Sequence, residues 1–327
     1  MLILNEQEIR QVLPMSDAIE AMKQALVILS NGTADVPLRT HVGQDHGTTL
    51  VMPGLVHGKL DGESFRSLIV KVVSIFNQNA QRDLPNIMGV INVLDPDTGQ
   101  PLALLNAAIV TAIRTAATSA AATDVLANPD ASRLAIVGAG IQARSHFEAI
   151  CAVRKIKRAT FYGPTRSKVE SLLAGLETEV ELVVAESSAE ATKDADIVCT
   201  TTNASNPVIE DAAIKPGCHV NAIGSYKPNV VEIPEATVLR SRIYVDHLDS
   251  ALQEAGDLIQ PIEAGTLQVD QIICQAGRLW MGDLCGRQSV DDVTLFKSVG
   301  NTVQDVVAAH VIVQNAKRSG LGRQIDF

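Results

Sequence analysis

The chain has 327 residues, a formal net charge of −10 at pH 7, and 46% hydrophobic but only 3% aromatic residues. At about 100–200 residues per domain, this length predicts two domains. Lys and Arg form no basic cluster, which argues against nucleic-acid binding, because neutralising phosphates requires grouped cations. No apolar run approaches the ~18 residues of a membrane span.

The cysteines and the N-terminus predict a cytoplasmic protein. An odd number of cysteines without CxxC spacing predicts scattered thiols rather than a disulfide framework or a zinc site. The N-terminal sequence MLILNEQEIR lacks the basic and apolar segments of a signal peptide. The cysteines are Cys151, Cys199, Cys218, Cys274 and Cys285.

The first third of the chain begins with two predicted helices. Residues 2–4 form an apolar run typical of a strand, and Asn5 with Glu8 matches a capping box at the start of a helix. Ser16 is the expected N-cap of a second helix from Asp17 to Ser30, because apolar residues recur there with helical spacing.

The next segment, residues 36–105, predicts an antiparallel or mixed sheet. It contains the β-type runs TTLVMP, SLIVKVVSIF and IMGVINVLD, separated by Gly, Pro and Asp. Residues 95–99, with the sequence DPDTG, indicate a turn. An Ala- and Thr-rich helix is expected over residues 107–126, since its small residues suit close packing.

Residues 133–245 alternate apolar strand runs with helical segments, which predicts βαβ units and a parallel sheet. A last helical segment is expected from about Leu295 to Ala316. The predicted fold class is therefore α/β, with a Rossmann-type doubly wound parallel sheet and a second α+β domain. The strand runs are RLAIVG, RATFYG, VELVVA, ADIVCTTT, HVNAIG and RIYVD.

The sequence LAIVGAGIQA, residues 134–143, predicts a dinucleotide-binding turn. Gly138, Gly140 and Ala143 match G-x-G-x-x-A between a strand and a helix, which is the context that the fingerprint requires. Backbone N–H groups at the start of the helix then bind the phosphates. The alternative is a glycine-rich structural turn that holds no ligand.

The end of the second strand of this domain favours NADP(H) over NAD(H), which stays possible. An NAD site usually has Asp or Glu there to bind the ribose 2′-hydroxyl, whereas RATFYG is followed by PTRSK. Thr165 and Arg166 suit a 2′-phosphate instead. The alternative is that Arg166 and Lys168 form the solvated start of a helix.

Two basic residues stand in apolar surroundings. Lys71 lies within SLIVKVVSIF and Arg114 within the Ala/Thr helix, and buried cations are rare unless they are paired. A substrate carboxylate is one natural partner, and Arg binds it bidentately. The alternatives are an internal pair with a buried Asp or Glu, or a lysine on the exposed face of a strand.

Taken together, these motifs resemble the ornithine cyclodeaminase/μ-crystallin family over essentially the whole chain. The resemblance implies a substrate-binding and dimerisation domain of residues 1–117 plus 299–327, and a Rossmann domain of residues 118–298. It also implies that Arg39, Lys71 and Arg114 surround a substrate carboxylate. The motifs that carry the resemblance are PLRTH (37–41), LVMPG (50–54), VKVVS (70–74), the turn at 95–99, TAIRTAATSAAAT (111–123), GAGIQA (138–143), VNAIGSYKP (220–228) and FKSVGNTVQD (296–305).

The expected cofactor site extends beyond the glycine-rich turn to loops after later strands and to the start of the last helix. Lys71 is the candidate catalytic residue, either as a source of a proton or only as an anchor. Asp305 is a candidate for orienting a water or a cation, and Asp246-His247 is interpreted as loop structure. The expected cofactor-binding residues are Gly138, Gly140, Ile141, Gln142, Ala143, Thr165, Arg166, Thr201, Thr202, Gly224, Ser225, Val299, Gly300 and Asn301.

One position departs from the cyclodeaminase pattern. Those enzymes carry an Asp two residues after the glycine that ends the fifth Rossmann strand, and this chain has Tyr226 there. A tyrosine is no carboxylate partner for a substrate's distal amine. The loop after this strand resembles instead those of the Δ1-pyrroline-2-carboxylate and Δ1-piperideine-2-carboxylate reductases. This resemblance implies NADPH-dependent reduction of one of these cyclic imines by a homodimer. The alternatives are ornithine cyclodeamination, an alanine-type dehydrogenase, and a crystallin-like binding protein without turnover.

Overall fold

The computed structural model describes residues 1–60, 62–76, 78–282 and 286–326, without the side chains of Gln44 and Ala80. Cys285 lies outside the described residues. The chain divides into two compact units, residues 1–114 with 301–327 and residues 115–300. Among the described helices, none combines the length and apolar character needed to cross a membrane.

The first part of the chain builds most of one sheet and the helices around it. Asn5 caps the first helix with the predicted capping box, since its side chain accepts from Glu8 N–H and Glu8 reaches back to Asn5 N–H. The elements are β1 (Leu2–Leu4), α1 (Glu6–Val12), α2 (Met15–Ser30), β2 (Ala34–Asp35), β3 (Thr40–Gln44), β4 (Gly47–Leu60), β5 (Glu63–Ile75), β6 (Ile87–Leu94), β7 (Pro101–Asn106) and α3 (Ala107–Leu126).

The middle part of the chain alternates strands and helices. Short 3₁₀ helices at Asp211–Ala213, Val269–Gln271 and Ala276–Trp280 supplement them, as Asn79–Arg82 does earlier. The elements are β8 (Arg133–Val137), α4 (Ile141–Val153), β9 (Arg158–Tyr162), α5 (Arg166–Ala174), β10 (Glu181–Val184), α6 (Ser188–Thr192), β11 (Ile197–Thr200), β12 (His219–Ala222), α7 (Glu235–Leu239), β13 (Arg242–Val245), α8 (Leu248–Glu254), α9 (Gly256–Glu263), β14 (Ile272–Gln275) and β15 (Thr294–Lys297).

The chain then returns to the first unit through α10 (Thr302–Ser319) and ends with β16 (Arg323–Gln324). The sheet of this unit has the order β16-β1-β7-β6-β5-β4-β2, with β3 also paired to β4. Only β1 and β7 are parallel among these pairs. The expectation of an antiparallel or mixed sheet over residues 36–105 is thus confirmed: the strands of this segment pair antiparallel, and β1 adds the parallel pair.

Residues on one face of β5 are buried, because α10 packs against β4 and β5 while α2 packs against β4. Successive side chains of a strand point to opposite faces. Ile69, Lys71 and Val73 share the buried face, and each is less than 5% exposed. The strand period therefore directs the amine of Lys71 toward the helix-covered side of the sheet.

The second unit contains a fully parallel sheet, as predicted. Its order is β10-β9-β8-β11-β12-β15-β13-β14. The first strands, β8 to β12, follow the 3-2-1-4-5 order of a doubly wound dinucleotide-binding sheet. The carboxyl ends of β8, β11, β12 and β15 therefore lie along one edge, which is where open α/β sheets bind ligands.

Two local predictions are wrong. Helix α2 begins at Met15 with Pro14 as its N-cap residue, whereas Ser16 lies inside the first turn and its hydroxyl contacts Asp17 at 3.1 Å. Proline fixes an extended entry to the helix, with φ −61° and ψ 154°, and its carbonyl already accepts from Ala18 N–H at 3.0 Å. The helix thus starts before the serine can cap it.

The segment that begins at Leu295 is a strand rather than the start of the last helix. Strand β15 lies between β12 and β13, and α10 begins only after Asn301. A four-residue buried run is too short to show a periodicity. It therefore cannot be distinguished from the first residues of an apolar helix. Strand β14, which pairs with β13 at the end of the sheet, is also not predicted from the sequence.

Candidate active site

Lys71 lies at the centre of a buried polar cluster in the first unit. Its amino group donates to Thr111 Oγ1 at 2.7 Å and to Asp305 Oδ1 at 2.8 Å. Thr111 comes from the first half of α3, and Asp305 comes from the first turn of α10. The lysine is only 1% exposed. A strand and two helices thus converge on one ammonium group.

Arg114 joins the same cluster from α3. Its Nε donates to Asp305 Oδ1 at 3.3 Å, and its Nη1 donates to Gln304 Oε1 at 2.6 Å. Arg114 is 5% exposed and Asp305 is fully buried. The internal acidic partner that the sequence left open therefore exists. One carboxylate is therefore shared by two cations.

The pKa values reflect this shared carboxylate. Burial lowers the pKa of Lys71 to about 8, because Asp305 opposes the burial only in part and Arg114 adds to its effect. Burial alone would raise the pKa of Asp305, but Arg114 and Lys71 outweigh it and keep that pKa below its ordinary value. At neutral pH the cluster therefore contains an ammonium, a guanidinium and a carboxylate.

Arg39 lies just before β3 and belongs to the same electrostatic environment. Its side chain is half-buried, and its positive charge contributes to the lowering of the Lys71 pKa. The structure thus brings all three predicted cations, Arg39, Lys71 and Arg114, into one neighbourhood of the first unit. Three cations in one neighbourhood make it suited to an anion.

Two buried atoms of the cluster have no hydrogen-bond partner among the described residues. They are Nε2 of Gln304, which is a donor, and Oδ2 of Asp305, which is an acceptor. Buried polar atoms normally find partners, so such an exception needs an explanation. A donor and an acceptor beside buried cations match a ligand that carries both a carboxylate and an N–H group.

In the second unit, the glycine-rich turn has the geometry of a phosphate site. Gly138 has φ +134°, and a Cβ there would lie 2.4 Å from Thr201 Oγ1. Only glycine tolerates both conditions. A Cβ on Gly140 would meet no atom within 4 Å, and Gly140 provides no side-chain cap for α4. Open space at an uncapped helix start fits a pyrophosphate.

The first residues of α4 complete this turn. Ala143 is fully buried, as close helix–strand packing requires, whereas Ile141 is exposed and Gln142 is half-buried. A cavity of about 410 Å³ opens beside the turn. Its lining includes two cations, Arg144 and Lys168. The lining residues are Ala139, Gly140, Ile141, Arg144, Ser167, Lys168, Ser171 and Leu172.

The loop after β9 places Thr165 at the N-cap position of α5, with no side-chain capping bond, and Arg166 at its first residue. Arg166 pairs with Glu170 at 2.8 Å and with Glu186. The structure therefore agrees with the alternative in which Arg166 begins a solvated helix, and both of its partners are exposed carboxylates. A role for Thr165 and Arg166 at a 2′-phosphate stays a prediction.

Hydrogen bonds connect the residues after β11 to those after β12 and to the strand that leads into the glycine-rich turn. Thr201 donates from N and Oγ1 to Val137 O, at 2.9 and 3.2 Å. Thr202 and Gly224 share the carboxylate of Glu232 as acceptor. The hydroxyl of Ser225 is buried against Asp257 and Lys297, and its carbonyl also accepts from Lys297 Nζ at 2.7 Å.

The segment after β15 is held by Asp246. This carboxylate accepts from Ser298 Oγ at 2.7 Å, from Gly300 N at 2.8 Å and from Val299 N at 3.4 Å. Asp246 is therefore a structural acceptor, and its neighbour His247 caps α8. In the first unit, Asn301 is the N-cap residue of α10 and accepts from Val303 N–H at 2.9 Å.

Sequence reasoning missed several residues that organise these sites. Asp305 was considered only for orienting a water or a cation, and Gln304, Thr111, Glu232, Asp257 and Lys297 were not singled out. A usable signal existed for Lys297 and Asp305, because each is a charged residue beside an apolar run. The partners of these residues lie far away along the chain, so the pairing itself is invisible in the sequence.

Comparison with known proteins gives a consistent result. Residues 1–320 match the model of the ornithine cyclodeaminase/mu-crystallin family. A Δ1-pyrroline-2-carboxylate reductase of Bacillus cereus is 34% identical over 332 residues, covering 100% of both chains. Among solved structures, the Thermococcus litoralis Δ1-pyrroline-2-carboxylate reductase in complex with NADH and L-proline has a TM-score of 0.94 and 34% identity. It covers 99% of this chain and 100% of its own.

A second solved structure, an archaeal alanine dehydrogenase dimer with bound NAD, has a TM-score of 0.90 and 27% identity. It covers 100% of this chain and 99% of its own. Because the family model spans nearly the whole chain and a full-length relative exceeds 30% identity, this chain belongs to the ornithine cyclodeaminase/mu-crystallin family.

Proposed function

We propose that this chain is an oxidoreductase that uses NADPH to reduce a small cyclic imino acid, Δ1-pyrroline-2-carboxylate or Δ1-piperideine-2-carboxylate, to L-proline or L-pipecolate. The observation that carries the proposal is the buried cluster in which Lys71 and Arg114 converge on Asp305, whose Oδ2 has no hydrogen-bond partner among the described residues. Relatives that bear the name Δ1-pyrroline-2-carboxylate reductase support the same reaction.

A substrate carboxylate would add negative charge beside the cations of this cluster. Lys71 and Arg114 both pair with Asp305 Oδ1, and the positive charge of Arg39 acts on Lys71. Taking cations out of water costs several kcal/mol each unless they are paired. A bound carboxylate offsets part of that cost, and the planar guanidinium of Arg114 grips it with directional hydrogen bonds.

The ring nitrogen of the substrate has its own partners in the cluster. An imine accepts hydride well only when it is protonated, so the site must hold an iminium N–H. Asp305 Oδ2 is an acceptor without a partner among the described atoms, and Lys71 is an acid whose pKa is lowered to about 8. We propose that Lys71 supplies the proton near neutral pH and that Asp305 stabilises the resulting cation.

We place the cofactor in the second unit, because its sheet has a doubly wound order and its glycine-rich turn opens at a helix start. When bound, a reduced nicotinamide supplies the hydride that the imine carbon receives. Gly138, Gly140 and Ala143 hold the pyrophosphate against the start of α4. The residues around Thr201, Gly224 and Gly300 provide the backbone edge for the rest of the cofactor.

Ornithine cyclodeamination is disfavoured by the loop after β12. Tyr226 stands at the position where that reaction needs a carboxylate, and its ring faces the amine of Lys227 at 5.8 Å. Nearby Glu232 and Asp257 are no substitutes, because both oxygens of each already accept hydrogen bonds within the unit. A cyclic imine, which has no distal amine, requires no such carboxylate.

The finer cofactor assignment is NADPH, with NADH as an accepted alternative. Strand β9 ends without a carboxylate, and the cavity beside Gly140 has Arg144 and Lys168 in its lining, with Arg166 nearby in sequence. A 2′-phosphate would meet cations here. The exposed glutamates that now pair with Arg144 and Arg166 are screened by solvent and bind weakly.

The first unit also supports a homodimer. The face of its sheet away from α10 carries cross-strand neighbours Val51, Val72 and Val90, and Met88 lies on the same face. Met88 and Val90 are each more than 40% exposed. An apolar patch of this kind is typical of a subunit interface.

The thiols support a location in the cytoplasm. The described cysteines carry free thiols, as expected in a reducing compartment.

Replacing either buried cation should abolish imine reduction without affecting cofactor binding. For Lys71→Met and Arg114→Met we expect kcat/KM for Δ1-pyrroline-2-carboxylate to fall by about 100-fold or more, because a charged hydrogen-bond partner of the substrate is lost. NADPH oxidation followed spectroscopically measures the rate. Arg66→Met, an exposed arginine of the same strand, is the matched control.

The same assay distinguishes the candidate reactions. NADPH consumption with either imine supports the reductase. Ammonia release from ornithine with NAD, together with no NADPH consumption, would contradict it.

Binding of an anionic ligand should weaken as the pH rises through about 8. Burial lowers the pKa of Lys71 to about 8, so the cationic form predominates below that pH and disappears above it. Pyrrole-2-carboxylate is a suitable probe, since its ring nitrogen does not titrate in this range. We expect its inhibition constant to increase above pH 8 in the wild type. In Lys71→Met this break should disappear, and its persistence would rule out Lys71 as the titrating group.

The preference for NADPH should depend on the cations beside the cofactor turn. We expect the double variant Arg166→Ala/Lys168→Ala to lose about 10-fold in kcat/KM with NADPH, because phosphate contacts are lost, and to change less than about twofold with NADH. Arg133→Ala, an exposed arginine at the start of β8, is the control. Equal losses with both cofactors would disprove a 2′-phosphate site.

A charge in the exposed apolar face should dissociate the dimer. We expect sedimentation to give the mass of two chains for the wild type and of one chain for Val90→Glu, because an unpaired charge in an interface core is costly. Val290→Glu, which changes an exposed valine of the second unit, should remain dimeric. A wild-type monomer at micromolar concentration would contradict the assignment.

A further inference from the structure

The fully buried carboxylate of Glu232 joins two loops at the carboxyl edge of the parallel sheet. Its Oε1 accepts from Thr202 N at 2.8 Å and from Thr202 Oγ1 at 2.7 Å. Its Oε2 accepts from Gly224 N at 2.7 Å. Thr202 follows β11 and Gly224 follows β12, so a single side chain connects the ends of two neighbouring strands.

A steric constraint reinforces this connection. A Cβ on Gly224 would lie 2.1 Å from Thr202 O and 2.4 Å from Glu232 Oε1, distances that no real side chain tolerates. The two loops therefore approach each other more closely than any residue except glycine permits at this position. Their spacing is fixed both by attraction to one carboxylate and by direct backbone contact.

Glu232 is itself held by a buried ion pair. Asp257 Oδ1 accepts from Glu232 N at 2.6 Å and from Ile233 N at 2.9 Å. Its Oδ2 pairs with Lys297 Nζ at 2.7 Å, and that amine also donates to Ser225 O at 2.7 Å. Lys297 is the last residue of β15, the strand that pairs with β12. The network therefore connects the carboxyl end of β15 to the two loops.

Such a network is unusual in a core. It contains two carboxylates and one ammonium, all less than 2% exposed. Buried charges are a poor source of stability, and apolar side chains of equal volume often stabilise a fold better. This network instead fixes the orientation of the backbone N–H groups that donate to it. These groups lie at the edge where sheets of this strand order bind a dinucleotide.

We propose that Glu232 is a positioning residue for the cofactor, with Asp257 and Lys297 as its support. It sets the separation of the Thr201–Thr202 and Gly224–Ser225 loops, and through it the backbone that faces the nicotinamide half of the dinucleotide. The inference rests on the proposed function, since it assumes a nicotinamide cofactor at this edge. It adds a determinant of cofactor geometry outside the glycine-rich turn.

The test compares Glu232→Gln with a matched carboxylate at the opposite edge of the same sheet. Asp196 accepts from Ser132 N at 2.8 Å and from Arg133 N at 2.9 Å, and it pairs with Lys215 at 2.6 Å. It therefore performs the same kind of backbone bridging, but before β8 and β11 rather than after them. Asp196→Asn controls for a general loss of stability.

In Glu232→Gln the amide can accept from only one of the two loops. We expect the NADPH dissociation constant, measured by nicotinamide fluorescence on the full chain, to rise about 10-fold. We also expect a larger deuterium isotope effect with 4-deuterated NADPH, because misplacement slows hydride transfer. Glu232→Asp should recover part of the affinity. Asp196→Asn should lower the melting temperature and leave NADPH affinity within about twofold.

Asp257→Asn provides a second test, should Glu232→Gln fail to fold. It acts on the same loops through the backbone of Glu232, and NADPH affinity should fall in the same direction. The inference is overturned if a folded Glu232 or Asp257 variant binds NADPH as the wild type does, or if Asp196→Asn weakens binding equally. Failure of the proposed function is separate, because it would appear as wild-type protein that oxidises no NADPH with either imine.

Discussion

The sharing of Asp305 between Lys71 and Arg114 is the interaction on which the first unit depends. Each of the three groups comes from a different element, namely β5, α3 and α10. Removal of the carboxylate would take an ion-pair partner from two buried cations, which is far more costly than the pair is stabilising. Helix α10, which belongs to the first unit although it follows the second unit in the chain, supplies this acid.

The same cluster explains why burial and ligand binding coexist here. A complete internal pairing would leave nothing for a substrate, whereas isolated cations would not survive desolvation. One carboxylate for two cations, with Arg39 nearby, lies between these extremes. Asp305 in the first turn of α10 is additionally stabilised by the helix dipole. Asp305 therefore stabilises the buried cations, and their positive charge suits the site to an anion.

At the carboxyl edge of the second unit, carboxylates act as acceptors for backbone groups rather than as reacting groups. Asp246 holds the segment of Gly300, and Glu232 holds Thr202 and Gly224. The glycine-rich turn differs from these loops, because Gly140 contributes no side-chain cap to α4. Negative charge thus fixes the loops around the edge, and the helix start is left to interact with an anionic ligand.

Sequence reasoning recovered the elements whose determinants are local. The capping box at Asn5, the extent of α3 and the first strands of the parallel sheet all follow from periodicity and short motifs. It failed where the determinants are tertiary. Strand β15 has four buried residues whose strand character comes only from pairing with β12 and β13. Asp305 and Lys71 are 234 positions apart, so nothing local links them.

The long β4–β5 ladder has a consequence for how this chain tolerates changes in length. Its register pairs Met52 with Lys71 and continues unbroken from Thr48–Ile75 to Leu60–Glu63. A residue gained or lost within β5 before Lys71 would move the ammonium to the other side of the sheet, whereas a change of two would keep it on the same side. Natural variation in this hairpin can therefore accept insertions or deletions of an even number of residues more readily than those of an odd number.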